Sequence, residues 1–414
     1  MSLLARPARR RAVGLLGALV AVVATWTVAA PAQADDMRER QWYLDAMRAD
    51  ELWKVATGKG VTVAVLDTGV DSTVSELRGK VLPGHNFSDA GGGPGRVDEK
   101  DDERHGTNMA IAVAGSGADG GVKGIAPGAR ILPVKTGDFA SFGPGPLIKG
   151  VRYAVDNGAR VISISGGGPA SGEEIAQWQA AVDYALGKGA LIFAASGNTG
   201  SESFRDYPST LPGVITIGAL DTKGKVASFS DYGSHLALAA PGVEMPGRCS
   251  NDKTRYCAFE GTSHATAIAS GTAALIWSAH PDWTANQVLR VMMETAGHVG
   301  EVPSKYIGYG SIRPAQVLLE GKGNPGDPNV NPLLAAQKQQ QGASQSPTPQ
   351  TSPSPDSTGA SGTNGPDQET KKPESAARPV EGGFPLWGIA VSAIAVVAVV
   401  IGVVVAAGRR NRRA

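Results

Sequence analysis

Five apolar runs constrain the fold more than any other feature of the chain. Residues 61–66, 130–134, 161–165, 190–195 and 214–218 are each five or six residues long. The first is apolar at nearly every position and ends at Asp67, as a strand buried on both sides does, and the others repeat the apolar pattern. Helical candidates at 147–157 and 173–186 lie between them. Strands that alternate with helices imply an α/β domain, here residues 52–320, with a mostly parallel central sheet and helices on both faces. In such sheets the reactive residues gather beyond the carboxyl ends of the strands. Asp67 and Asn198 each follow a run directly.

The two ends of the chain read differently. Residues 1–34 have the form of a secretory signal peptide: Arg6, Arg9, Arg10 and Arg11 precede an apolar stretch, and Ala32-Gln33-Ala34 is a small-x-small cleavage site. An uncleaved N-terminal anchor is the alternative. Residues 35–51 are then a short N-terminal extension. Residues 321–384 are rich in Pro, Ser, Thr, Gly and Gln and read as a disordered linker. Within residues 385–408, the span from Leu386 to Ala407 is uncharged and long enough to cross a bilayer as a transmembrane helix. A buried core helix is the alternative. Phe384 and Trp387 sit at the expected interface, and Arg409, Arg410, Arg412 and Arg413 mark residues 409–414 as a cytoplasmic basic tail. The expected location is the cell membrane, single-pass, with the folded domain outside the cell.

Only two cysteines are present, Cys249 and Cys257. In an exported chain so close a pair is usually a disulfide; free thiols or a metal pair are the alternatives. No further cysteine or clustered histidine supplies the rest of a metal site. The formal net charge of +1 indicates neither nucleic acid nor an acidic substrate. The stretch from 86 to 104, acidic from Asp98 to Arg104, reads as an exposed loop. It is either a solvated insertion or a substrate-limiting or ion-binding loop.

Three short segments carry the chemistry: Asp67-Thr68-Gly69, His105-Gly106-Thr107 and Gly261-Thr262-Ser263. A serine hydroxyl is a poor nucleophile at neutral pH. It needs a histidine to take its proton and a carboxylate to orient that histidine. Ser263 opens a small-residue helix over 263–280, whose N-terminus would place N–H groups and the positive dipole end beside the nucleophile. Asn198, in Ala194-Ala195-Ser196-Gly197-Asn198, is a second candidate donor to an oxyanion; a plain turn residue is its bland alternative.

These segments resemble the subtilisin-like serine proteases. The likeness runs from residue 52 to about 316. It rests on residues 60–71 around Asp67, on 105–110 around His105, on the turn at 124–129, on Gly261-Thr262-Ser263, and on 227–230 with 240–242. The resemblance implies a three-layer subtilisin-like fold and an endopeptidase acting on proteins or peptides through an acyl-enzyme. Ser263 would attack the peptide carbonyl, His105 would move the proton and Asp67 would hold the imidazolium. Asn198 and the Ser263 N–H would form the oxyanion hole. Ser165, Gly166 and Gly167 would pair with the substrate backbone as an added strand. Ala194, Ala195, Ser196 and Gly197 would line the primary side-chain pocket. No cofactor is implied for catalysis; structural calcium is left open.

The order of segments also resembles the mycosins, membrane-anchored subtilases associated with type VII secretion. Components of that system and the cell membrane are the partners this implies. Some 18 residues from Asp35 to Trp53 are too few for a folded pro-domain. The chain departs from the family at three places. His264 follows the nucleophile where an apolar residue is usual, Ala267 replaces a proline, and Gly166 replaces a larger apolar residue. Mycosins often have two disulfides, whereas this chain has cysteines for one. His264 reads either as a second titrating group or as a packed residue with no proton-transfer role. A catalytically silent subtilase-fold scaffold is the rival reading. An esterase on another α/β fold lacks its Gly-x-Ser-x-Gly elbow here.

Overall fold

The chain enters the domain through two short helices, α1 (Trp42–Ala46) and α2 (Ala49–Leu52). Tyr43, Leu44 and Leu52 on them are almost wholly buried. The Trp42 indole donates to the Val243 carbonyl at 3.0 Å, and the Trp53 indole to that of Ile125 at 2.9 Å. Met37 joins the same core cluster as Tyr43 and Leu44, so the extension expected over 35–51 is part of the core packing from residue 37 onward.

In the computed structural model the described residues are 37–88, 92–98, 104–138, 141–202 and 206–344. The signal peptide expected over 1–34, the helix over 385–408 and the basic tail lie outside them. Among the described residues no helix is long and apolar enough to cross a membrane. The linker expected from residue 321 is described as far as 344, and there it differs from the expectation. Residues 332–344 form a helix, and Leu333 is buried.

Eleven strands and seven more helices follow in the described chain. They are β1 (Thr62–Asp67), β2 (His85–Asn86), α3 (His105–Ala114), β3 (Arg130–Lys135), the small pair β4 (Gly137–Asp138) and β5 (Ser141–Phe142), α4 (Pro144–Asp156) and β6 (Val161–Ile164). Next come α5 (Gly172–Gly187), β7 (Leu191–Ala195), β8 (Ile215–Leu220), β9 (Leu236–Pro241), the hairpin β10 (Met245–Arg248) and β11 (Tyr256–Phe259), α6 (Thr262–Ala279), α7 (Ala285–Glu294), α8 (Pro314–Leu318) and α9 (Pro332–Ser344). Seven strands form one sheet in the order β2-β3-β1-β6-β7-β8-β9, all pairs parallel. The five apolar runs are its β1, β3, β6, β7 and β8.

Successive residues of β1 feed opposite layers. Val63 and Val65 join the core cluster with α3 and α6, while Ala64 and Leu66 join the one with α4 and α5. That two-sided burial is why β1 shows no polar alternation. Pro133 is tolerated inside β3 because of where its backbone points. Ile131 exchanges hydrogen bonds with Lys80 and Leu82 on the β2 side, so Pro133, two residues on, faces the same edge. There β2 supplies only His85 and Asn86, which pair with Val134 and Lys135, so no ladder donor is demanded of Pro133.

Helix α6 runs through the centre of one layer, with every residue from Thr262 to Trp277 buried. Its Ala, Ser, Thr and Gly side chains let it lie close to its neighbours. A Cβ on Gly271 would fall 2.4 Å from Ile125 Cγ2, so only glycine fits that approach. Helix α5 opens with a capping box in which Ser171 and Glu174 satisfy each other's backbone N–H groups.

The β10–β11 hairpin leans on α3. Asn108 of that helix exchanges two hydrogen bonds with the Arg248 backbone, at 2.7 and 3.0 Å. The Arg248 guanidinium forks onto fully buried Glu76, at 3.1 and 2.8 Å, and the Tyr256 hydroxyl donates to the same carboxylate at 2.6 Å. Cys249 and Cys257 form a disulfide across the hairpin end, with Cα atoms 5.2 Å apart. Removing one partner of a buried ion pair strands the other charge. Glu76→Ala is therefore expected to cost about 3–5 kcal/mol, read from the urea midpoint at constant m; a loss below about 1 kcal/mol would show that this pair does not hold the hairpin.

Candidate active site

Strand β1 ends in Asp67, whose carboxylate is fully buried. Oδ1 accepts the Thr68 N–H at 2.8 Å and faces Nδ1 of His105 at 2.7 Å. A carboxylate only accepts, so the imidazole proton sits on Nδ1 and the basic lone pair on Nε2. His105 is the first residue of α3 and is 9% exposed. The strand end and the helix start touch: a Cβ on Gly106 would lie 2.1 Å from the Gly69 carbonyl oxygen and 3.0 Å from Asp67 Cβ. Glycine at 106 is what lets the two side chains meet at hydrogen-bond distance.

Ser263 is the second residue of α6 and is 7% exposed. Its hydroxyl lies 3.4 Å from the Ser165 carbonyl oxygen, just past the end of β6. Helix α6 packs on α3, and His264, next to the serine, is close enough to His105 for their charges to interact. Asn198 follows β7. Its Oδ1 accepts from both the N–H and the hydroxyl of Thr262, at 2.8 and 2.9 Å. With the oxygen held by two donors, the amide NH2 is the end left to face the cleft. The N-terminal N–H groups of α6 lie at the same place.

Ser165, Gly166, Gly167, Ala195, Ser196, Gly197, Asn198 and Ser263 line one cleft of about 270 Å³. Of the expected pocket residues, Ala194 does not line it. It is 1% exposed, and its side chain joins the core on the α4 and α5 face of the sheet. Period-two alternation sends Ala194 into that layer and Ala195 toward the cleft. The sequence reading missed the wall opposite, where Asp206, Tyr207, Pro208 and Ser209 come in beside Thr199 and Asp231. Gly168 and Tyr207 join the two walls through a pair of backbone hydrogen bonds at 3.1 and 2.9 Å. Asp231 is nearly buried and fixes the loop after Asn198, accepting from the Thr199 N–H and hydroxyl and the Ser201 N–H at 2.7–3.0 Å. No local motif announces these residues, because they reach the cleft from a loop distant in sequence.

His264 is wholly buried, stacks on Phe259, and has no partner for either ring nitrogen among the described residues. Burial, and secondarily the neighbouring His105, push its pKa down to about 3, so it is neutral at physiological pH. Asp98, expected on an exposed acidic loop, is instead 5% exposed and packed behind Asp67. Residues 99–103 of that loop lie outside the described residues. A larger cavity, about 620 Å³, opens near Arg160, Lys188, Trp277 and Trp283. It lies at the amino ends of β6 and β7; Asp156, Lys188, Asp282 and Thr284 line it but no serine, cysteine or histidine does, so the smaller cleft, which holds Ser263, is the candidate site. Among the described residues no group of three or more His, Cys, Asp or Glu is arranged to hold a metal.

Known proteins share this arrangement of sequence and fold. The chain is 37% identical to subtilisin NAT of Bacillus subtilis subsp. natto over 260 residues, which take in 62% of this chain and 65% of that protein. The crystal structure of MycP1 with its N-terminal propeptide removed superposes with a TM-score of 0.58 at 32% identity, covering 67% of this chain and 96% of that one. MycP3 protease from the type VII (ESX-3) secretion system gives 0.59 at 29% identity, covering 67% and 87%. Residues 58–310 match the Subtilase family throughout. With that match laid over the sheet, the Asp67–His105 contact and the Ser263 cleft, the chain belongs to the subtilase family.

Proposed function

We propose that the protein is a serine endopeptidase, anchored in the membrane with its domain outside the cell, that cleaves peptide bonds through Ser263. The observation that carries this is the buried 2.7 Å contact between Asp67 and His105, made beside a cleft that holds both Ser263 and Asn198. In the first half-reaction the Ser263 Oγ attacks the scissile carbonyl carbon as His105 Nε2 takes its proton. Asp67 stabilises the imidazolium without itself taking the proton. Negative charge develops on the carbonyl oxygen, where the Asn198 amide and the Ser263 N–H would donate. Collapse of the tetrahedral intermediate breaks the C–N bond, and His105 gives its proton to the leaving amine. Water then enters by the same proton route and releases the acid from Ser263.

The cleft suits an extended peptide. Ser165, Gly166 and Gly167 run along one wall, where backbone groups can pair with a substrate strand. Gly166 carries no side chain to crowd that wall. The neutral state of His264 also serves the reaction, because a cation beside His105 would weaken it as a base.

The membrane anchor, the extracellular location and a mycosin-like role in type VII secretion are parts of the same proposal. They rest on the apolar segments at both ends of the chain and on the likeness to MycP1 and MycP3. Fractionation of cells carrying the full chain, with protease shaving of the surface, tests the first two. Comparing secreted-protein N-termini between wild type and Ser263→Ala tests the activity and finds the substrates. New N-termini that depend on Ser263 are expected; identical profiles, together with no hydrolysis of a peptide library, would leave the silent scaffold.

Asn198→Ala is expected to lower kcat by about 10²–10³ with little change in KM, the loss typical of oxyanion donors, subtilisins included; steady-state kinetics on a peptide substrate checks it. His264 generates a stability prediction with a definite sign. Its folded pKa lies below its unfolded value, so the unfolded chain binds the extra proton and stability falls as pH drops from about 6.5 toward 3. His264→Met is expected to flatten the urea-stability profile across that window; an unchanged profile would remove His264 as the cause.

A further inference from the structure

Asp98 makes three hydrogen bonds that the proposed reaction does not use. Oδ1 accepts from the Thr68 hydroxyl at 2.8 Å. Oδ2 accepts from the Thr107 N–H at 2.8 Å and also from the Thr107 hydroxyl. Thr68 directly follows Asp67, and its hydroxyl oxygen accepts the Gly106 N–H at 2.9 Å. Thr107 lies two residues past His105, and its hydroxyl oxygen accepts the Asp71 N–H at 2.8 Å. The carboxylate thus closes a ring: Asp67, Thr68, Asp98, Thr107, His105 and back to Asp67. Meanwhile Oδ2 of Asp67 is buried with no hydrogen-bond partner among the described residues. Asp67 therefore has few bonds of its own with which to fix its orientation.

We propose that ionised Asp98 is a positioning residue for the Asp67–His105 pair, clamping the end of β1 to the start of α3 through Thr68 and Thr107. It touches neither substrate nor the reacting atoms. All of the donors aimed at it belong to Thr68 and Thr107, one residue past Asp67 and two past His105, and an ionised carboxylate is the partner that accepts all three. A carboxylate is also expensive to bury unless its hydrogen bonds answer the cost, which is what this ring does. Burial still pushes its pKa up to about 6, with Asp67 adding to the rise and the threonine hydrogen bonds opposing it. The charged groups facing this corner among the described residues are Asp67 at the end of β1, Asp71 just beyond it, Arg104 and His105 at the head of α3, Lys135 at the end of β3, and Lys253, which reaches Asp71 at 3.8 Å. Arg104 pairs with Asp71 at 3.4 Å, and Lys135 lies along Gly69.

The inference rests on the proposed peptidase reading, so its test includes a readout that needs no turnover. Asp98→Asn keeps the shape but turns an NH2 toward donors. Thr107→Val removes one hydroxyl donor and keeps the backbone N–H, and serves if Asp98→Asn does not fold. A misplacement of ~1 Å can cost about 100-fold in rate. The folded Asp98→Asn protein is accordingly expected to lose about tenfold or more in kcat with KM within about twofold, and Thr107→Val to lose less in the same direction. On the acid side, wild type needs His105 neutral and Asp98 charged, so log(kcat/KM) is expected to fall with a slope approaching about two and Asp98→Asn with about one. The downfield Nδ1–H proton of His105, seen by NMR, is expected to shift or broaden in both variants. Unchanged kcat and an unchanged His105 proton in a folded variant would overturn the clamp. An inert wild type with a shifted proton would instead sink the peptidase reading and leave the clamp standing.

Discussion

The contact between Asp67 and His105 organises the rest of this molecule. It can exist only where a buried strand end meets a helix start with no side chain in the way, and Gly106 provides that gap. The two residues lie 38 positions apart in the chain. Each is held by its own element: Asp67 by a strand paired on both sides, and His105 by a helix pressed against α6. Burial then makes the contact matter. In a site shielded from water, a carboxylate beside an imidazole keeps its orientation and its electrostatic weight.

Packing of α6 on α3 sets the helix that carries Ser263, the proposed nucleophile, beside the helix that carries His105. Helix α6 is buried along nearly its whole length, and its N-terminus must find partners for its N–H groups. Asn198 takes the Thr262 N–H, leaving its own amide NH2 free to serve the cleft. Thr262 thereby links the two candidate oxyanion donors. One interaction sets the direction of the Asn198 side chain and the start of the helix that carries Ser263.

Much of this was legible in the sequence because burial leaves a local trace. The five apolar runs became five adjacent members of the sheet, and the segments around Asp67, Asn198 and Ser263 fell at element ends, as strand-to-loop chemistry requires. Cys249 and Cys257 are joined. What the sequence hid depends on contacts between distant segments. Asp98 sits in a run of charges and reads as solvated, yet two threonines near the ends of β1 and α3 draw it inside. Ala194 and Ala195 look alike on paper; only the pleat separates core from cleft. Residues 332–344 carry little apolar pattern, but Leu333 finds a place in the core that composition alone does not disclose.

The central claim is that Ser263 is an activated nucleophile. The most direct measurement is peptide mapping by mass spectrometry after reaction with a fluorophosphonate. A single adduct is predicted on the peptide holding Ser263, absent in His105→Ala and in protein unfolded beforehand. No adduct on the folded wild-type protein, or an adduct on another residue, would contradict the account.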